Sequence, residues 1–435
     1  MGTLLARATT ALLGVACVGA AVAAEPSDRH QWRIEVDGGY VGVDSPLGSW
    51  PSGGLGKLRY DESDDHLNAM RVFAQYRGRI TPTLSTTVIA DYVDDGSAGL
   101  DLTEAFLDWR PIPKSPIQQQ VRFGAFYPPL SLENGEAGWQ SPFTYSYSAI
   151  NTWLGEEIRP IGAEWSMRRR LGAVGSPQQL RAFAAGFYGN DPAGTLLFWR
   201  GWSLHDRQTR LNDKLNIPPM PVFNFSGVQT GTRPHTLEPF EEIDHEPGAY
   251  AGLEWRYAKR ALVQLAYYDN RADPYAFADG QWAWDTAFTH LGMQFQLPGE
   301  IGLIAQWMSG ATDWIVGARP NGTLSPVAEL VEDYFESKFL MLTRVVHGAH
   351  RLSLRYDDFE IVRDEPPPAL RADGGHAWTV GYRYEQSARF TAGVEWLEIT
   401  SQRDLWPMFY SLPYEATESQ LRVQVSFNYG APKAR

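Results

Sequence analysis

Cysteine is nearly absent from this chain: one residue in 435, Cys17. It sits in an N-terminal segment, 1–24, with one basic residue (Arg7), an apolar run from Ala11 to Ala20, and Val22-Ala23-Ala24 before Glu25. That pattern reads as a cleaved secretory signal peptide. A lipoprotein cysteine would want an aliphatic residue three positions earlier, where Gly14 stands. The remainder, 25–435, therefore has no thiol, which excludes disulfides and cysteine metal sites. No later stretch reaches the eighteen apolar residues of a membrane helix. A basic surplus is also missing: the formal charge is −13, or −14 once Arg7 is removed, which argues against nucleic acid as a partner. Neither H-E-x-x-H nor G-x-S-x-G occurs, and no metal or cofactor is expected. Pro/Ser-rich linkers and internal repeats are lacking as well, so 25–435 reads as a single domain.

Aromatic residues are abundant, with 16 Trp, 20 Tyr and 20 Phe, and they recur on one side of alternating segments. Near the C-terminus Leu421, Val423, Val425, Phe427 and Tyr429 alternate with Arg422, Gln424, Ser426 and Asn428. Strand side chains have period two, so this is an apolar stripe opposite a polar one. The split recurs with Trp378, Val380 and Tyr382 against Thr379 and Arg383, with Leu352 and Leu354 against Arg351, Ser353 and Arg355, and with Met70, Val72, Ala74 and Tyr76 against Arg71, Gln75 and Arg77. A soluble sandwich also alternates. Here, however, Arg and Glu occupy the polar stripe at mid-strand and Trp or Tyr end the apolar one, as in a wet lumen and a lipid face with aromatic girdles.

The gaps alternate too. Short turns fall at 81–82, 111–116, 171–177, 258–260, 298–300, 347–349 and 386–388. Longer loops fall near 44–65, 94–100, 127–156, 190–246, 271–284, 311–335, 362–374 and 401–417. Seven turns and eight loops join sixteen strands, which predicts an all-β transmembrane antiparallel barrel in the bacterial outer membrane, with both termini on the periplasmic turn side. Such a barrel is expected to enclose a water-filled channel. The register puts Arg71, Arg77, Glu104, Asp108, Arg110, Arg122, Arg351, Arg355, Arg383 and Arg422 on the pore lining, together with Lys338 and Arg344. Acidic surplus collects in loops such as 61–65 and 238–246, where divalent cations could bridge to lipopolysaccharide.

Loop three, 127–156, is expected to fold inward and narrow the pore. It has no Lys or Arg, and it carries Glu133, Glu136, Trp139, Phe143, Tyr145, Tyr147 and Trp153. Either these rings meet the solute or they pack on the inner wall. Loop four, 190–246, is long enough for a lid or a receptor surface, and its His205-Asp206, His235 and Asp244-His245 are the only hint of a barrel enzyme acting on lipid or ester substrates.

The run Val121-Arg122-Phe123-Gly124-Ala125-Phe126-Tyr127-Pro128-Pro129-Leu130-Ser131-Leu132-Glu133 resembles the strand-then-loop element of the phosphate-selective porin O and P family, and Leu102 to Asp108 is similar to that family's adjacent strand. The resemblance implies a 16-stranded channel, commonly a homotrimer, whose basic side chains carry anions. Glu133, Glu136 and Glu156 stand where cations would bind phosphate. The expected function is thus an outer-membrane porin for passive or weakly selective diffusion of small hydrophilic solutes, with a phosphate- or anion-selective channel as the alternative.

Overall fold

The alternation of the sequence builds a closed wall. The computed structural model describes residues 29–64, 67–93, 99–172, 175–218, 236–318, 323–363, 370–404, 406–407 and 410–430. The signal segment with Cys17, and also His235, lie outside them. Sixteen antiparallel strands close into one barrel in chain order. They are β1 (His30–Asp44), β2 (Leu67–Arg79), β3 (Leu84–Tyr92), β4 (Leu100–Trp109), β5 (Ile117–Ala125), β6 (Ile161–Arg170), β7 (Gln178–Tyr188) and β8 (Gly248–Tyr257). Next come β9 (Ala261–Asp269), β10 (Asp285–Leu297), β11 (Ile301–Ala318), β12 (Leu324–Val346), β13 (His350–Arg363), β14 (Leu370–Tyr384), β15 (Phe390–Gln402) and β16 (Glu415–Gly430). β16 pairs with β1 through Ile34↔Tyr429 and Tyr40↔Val423, which leaves no open edge. All seven expected turns join strands on one rim. On the other rim the expected loop 311–335 is mostly strand, since β11 and β12 pair as far as Val316↔Glu329. Its outward Asp313 and Glu332, paired with each other, interrupt the outer face between exposed Leu330 and Tyr334, so apolar alternation fades there although pairing continues.

Outward side chains form the apolar band: Leu107, Phe123, Leu253, Leu265, Leu340, Leu354, Val394 and Val423 are all exposed. Trp32, Trp109, Tyr257 and Tyr429 edge it at the turn side, and Tyr40, Tyr92, Tyr188, Tyr267 and Tyr334 at the loop side. Three residues depart from the expected faces. Met70 is bulged, because pairing passes from Asp37↔Arg71 to Gly38↔Ala69, and it turns inward beside Val41 and Tyr60. Lys338 lies on the outer face, bonded to Glu336 and Asp358. Arg344 shares the outer parity of Leu340 and Leu342 and pairs with outward Leu352.

The lumen departs most from expectation. Strand number implies a water-filled bore, yet loops one, three and four enter it and pack there. Trp50 and Leu58, Trp153 and Leu154, and Leu196 to Trp199 join inward Phe288, Met308, Phe335, Phe359 and Leu397 in one buried cluster. A wide barrel can be filled when its own loops supply enough apolar surface, at roughly 25 cal/mol per Å² buried.

Candidate functional site

Loop three spans 126–160 and contains helix α1 (Ala149–Glu157), capped by Ser148, whose side chain accepts the Asn151 amide. Buried Glu133 organises it. One carboxylate oxygen pairs with Arg355 of the wall at 2.6 Å; the other accepts the Ser148 amide at 2.9 Å and the Asn151 side chain at 2.8 Å. Trp139 stacks on Tyr127 with centroids 4.2 Å apart and meets Tyr147 edge-on at 5.6 Å. The amides of Tyr145 and Ser146 donate to Glu395 on β15 at 2.5 and 2.9 Å. Trp153 packs between Trp202, Phe288 and Phe335. Glu136 is partly buried, while Phe143, beneath Arg351, lines an open cavity of about 600 Å³ at the turn side. Most of the rings therefore pack against protein.

The inward charges divide into two bands. At mid-height they grip loops. Arg71 pairs with Asp91 at 2.6 Å and reaches the Gly138 carbonyl; Arg383 donates to the Ser141 carbonyl at 2.8 Å; Glu104 accepts the Tyr127 amide at 3.0 Å. Arg355 adds Asp357 and the carbonyls of Ser146 and Tyr147 to its bond with Glu133. Nearer the turns, Arg77, Asp108, Arg110 and Arg122 line a separate cavity of about 380 Å³. Arg351 lines the larger one, bonded to Glu385 at 3.0 Å.

Loop four supplies the rest of the plug. Its helix α2 (Thr195–Arg200) is flanked by Gly194 and Gly201, both at positive φ (101° and 87°). A Cβ at Gly194 would stand 2.6 Å from the Thr312 hydroxyl, and one at Gly201 2.3 Å from the Asp373 carboxylate, so glycine is needed for both fold and approach. Asp373 accepts the Trp202 amide at 2.8 Å and Lys57 of loop one at 2.7 Å. Glu156 of α1 pairs with Arg200 at 2.6 Å through both oxygens and lies 2.8 Å from His205. Glu157 accepts the Leu196 and Leu197 amides, each at 3.0 Å. Asp206 joins Arg59 of loop one to Arg422 of the wall, at 2.8 Å each.

Burial works on these loop carboxyls with different outcomes. For Glu156 it would raise the pKa, but Arg200 and His205 outweigh it and hold the group at about 2. Burial is likewise overcome at Asp206 by Arg422 and Arg59, which keep it far below the usual range. Among the described residues no cation bonds Glu157, and burial lifts it to about 7 against its backbone bonds. Burial also lowers Lys57 to about 8 despite Asp373. Sequence reasoning missed Lys57, Arg59, Arg200, Trp202 and Asp373. The signal present was Leu196-Leu197-Phe198-Trp199, an apolar run too dense for a solvated loop.

The residues considered for catalysis are placed elsewhere. His205 faces Glu156 inside the plug, while Asp206 is taken by two arginines. Asp244 accepts the Glu246 amide at 2.7 Å at the surface, and its neighbour His245 is exposed. Asp191, Glu242 and Asp244 bring carboxylate oxygens within 4.8 Å of one another, and each of these carboxylates also accepts a backbone amide, from Ile243, Gly189 and Asp273 respectively.

No protein-family model matches the chain, and no curated protein matches it in sequence. Among solved structures, the outer membrane channel DcaP of Acinetobacter baumannii is similar at 12% identity, over 92% of this chain and 96% of that one, with a TM-score of 0.48. The anion-selective porin from Comamonas acidovorans is similar at 13% identity, over 92% and 99%, with a TM-score of 0.48. OmpT of Vibrio cholerae in a trimer form is similar at 8% identity, over 92% and 99%, with a TM-score of 0.47.

Proposed function

We propose that the chain is a bacterial outer-membrane porin for passive, weakly selective passage of small hydrophilic solutes, and that it rests closed. The observation carrying this reading is a sealed barrel with an apolar band between two aromatic girdles outside and charged side chains inside. An interior stocked with Arg, Asp and Glu serves a polar pathway. The plug that fills it is held by ion pairs and packing between loops, with no covalent tie, so passage requires the plug to shift. The short-turn rim then faces the periplasm, and lipid and lipopolysaccharide surround the band. A homotrimer is part of the same proposal, as is the absence of catalysis.

An anion-selective channel is the second reading, favoured by the arginines of the turn-side cavity. A dedicated phosphate site on loop three has less support: Arg122, in the family-like motif, is bonded to Glu164 at 2.9 Å, and loop three itself has no cation before Arg159. Planar-bilayer recordings at two salt concentrations test both readings. Infrequent openings with a reversal potential slightly on the anion side are expected, shrinking as salt screens the charges. Strong cation preference at high salt would overturn the lumen assignment, and a processed chain that stays soluble without detergent would overturn the membrane barrel.

A further inference from the structure

The inner wall presents two different faces to the plug. Strands β8 to β12 offer Tyr250, Tyr268, Phe288, Met308 and Phe335, which share one buried apolar cluster with Trp153 and Phe198 of the plug. Across the ring, β14 to β16 and β1 offer polar side chains instead. Six of them carry a buried atom with no hydrogen-bond partner among the described residues: Asp37 Oδ1, Arg383 Nε, Thr391 Oγ1, Arg422 Nε, Gln424 Oε1 and Asn428 Nδ2. All six residues are more than nine-tenths buried. Strand pairing gathers them into one patch: Asp37 and Thr391 both flank Ser426, Gln424 lies between Gly39 and Gly393, and Arg383 pairs with Gly393.

Loop three covers this patch. The Tyr145 hydroxyl donates to the Gln424 carbonyl at 3.4 Å, and the guanidiniums of Arg383 and Arg422 stand 5.1 and 5.4 Å from its ring centre. A Cβ at Gly393 would stand 2.7 Å from the same hydroxyl. The cover gives Arg383 the Ser141 carbonyl but gives nothing to the six atoms. A buried polar atom without a partner bears a desolvation cost that parting relieves, whereas parting an apolar contact loses its stabilisation. The plug is therefore held least firmly here, and this is the side on which it lifts. The exposed chemistry is mixed. Arg383, Arg422 and Asn428 have N–H groups to donate, Asp37 and Gln424 have oxygens to accept, and Thr391 does either. Two guanidiniums stand with two carboxylates, Asp37 and Glu395, so neither sign dominates. A hydroxyl donates and accepts at once; a phosphate or a metal ion would satisfy only one half of the set. We propose that this patch is a binding site for a neutral polyhydroxyl solute, a short saccharide, uncovered when residues 141–146 of loop three lift from the wall. Four adjacent strands make it about 14 Å wide, which suits a saccharide better than a single ion.

The proposal rests on the porin reading for the movement that uncovers the patch. Planar-bilayer recording in potassium chloride tests it with maltotriose, a polyethylene glycol of similar mass and inorganic phosphate. Maltotriose is expected to interrupt the open current at a concentration at least tenfold lower than either of the others. Thr391→Val/Gln424→Met should weaken that block tenfold or more at unchanged unitary conductance, while Gln296→Met, on β10 outside the patch, should leave it as in the parent. Thr391→Val alone is a near-isosteric exchange of an unpaired hydroxyl, and heat-modifiable migration on gels checks that it is folded. It should weaken the block severalfold and make openings severalfold rarer, because the seated loop no longer buries that hydroxyl without a partner. Block by the glycol or by phosphate at the concentration that maltotriose needs overturns the site, as does a folded Thr391→Val protein that is blocked, and opens, like the parent. A channel that conducts but ignores maltotriose refutes this site and leaves the porin reading standing; a protein that never conducts overturns both.

Discussion

Replacing Asp206 by Asn removes the charge between Arg59 and Arg422 while keeping the shape of the side chain. All three groups are buried, and Arg422 belongs to the wall whereas Asp206 belongs to the plug. Breaking a buried ion pair by removing one partner costs about 3–5 kcal/mol, because the remaining charge stays desolvated. Asparagine still accepts one hydrogen bond, so the lower end, about 3 kcal/mol, applies. The Arg422 half of that loss is confined to the seated plug, since unseating separates wall from loop and lets Arg422 recover solvent. If half the total is differential, the seated-to-unseated equilibrium moves by about tenfold, as each 1.4 kcal/mol is a factor of ten. Single-channel recording should therefore show an open probability about tenfold above that of the parent with unchanged unitary conductance. An Asp206→Asn protein that is less thermostable yet opens no more often would refute the idea that displacement of this plug opens the pore.

Further outcomes follow from the same contacts. Val425→Arg, outward in the apolar band, should cost about 2–4 kcal/mol near the midplane, whereas Gln296→Arg, exposed in the turn-side cavity that Glu300 also lines, should cost under about 1 kcal/mol; denaturant unfolding in detergent compares them, and equal losses would invert the assigned faces. The Glu157 carboxyl sits at about 7 in the folded protein against an ordinary 4.5, so its contribution is fully present below 4.5 and fades as pH rises through 7. Openings should become more frequent between pH 5.5 and 8, and Glu157→Gln should flatten that profile; a profile unchanged by the substitution would remove Glu157 from the joint between loops three and four. Gly201→Ala should unseat α2, because its methyl meets the Asp373 carboxylate, and should raise open probability without altering selectivity.

Sequence alone determined the barrel. Period two along each strand, the alternation of short and long gaps and the aromatic ends are local properties, and the lipid boundary imposes them strand by strand; this is why Val423 and Arg422 were assigned to opposite faces correctly. Local patterning failed where a bulge or a long strand broke the count, as at Met70 and through 311–335. The contents of the lumen were decided by tertiary structure. Nothing near Asp206 in the chain reveals that Arg59 and Arg422 will meet it, or that Lys57 will share Asp373 with Trp202. Nor does the list of inward arginines show which of them a loop carboxylate will neutralise. Those pairings join residues far apart in the chain across a closed ring, and the ring exists only once all sixteen strands have paired.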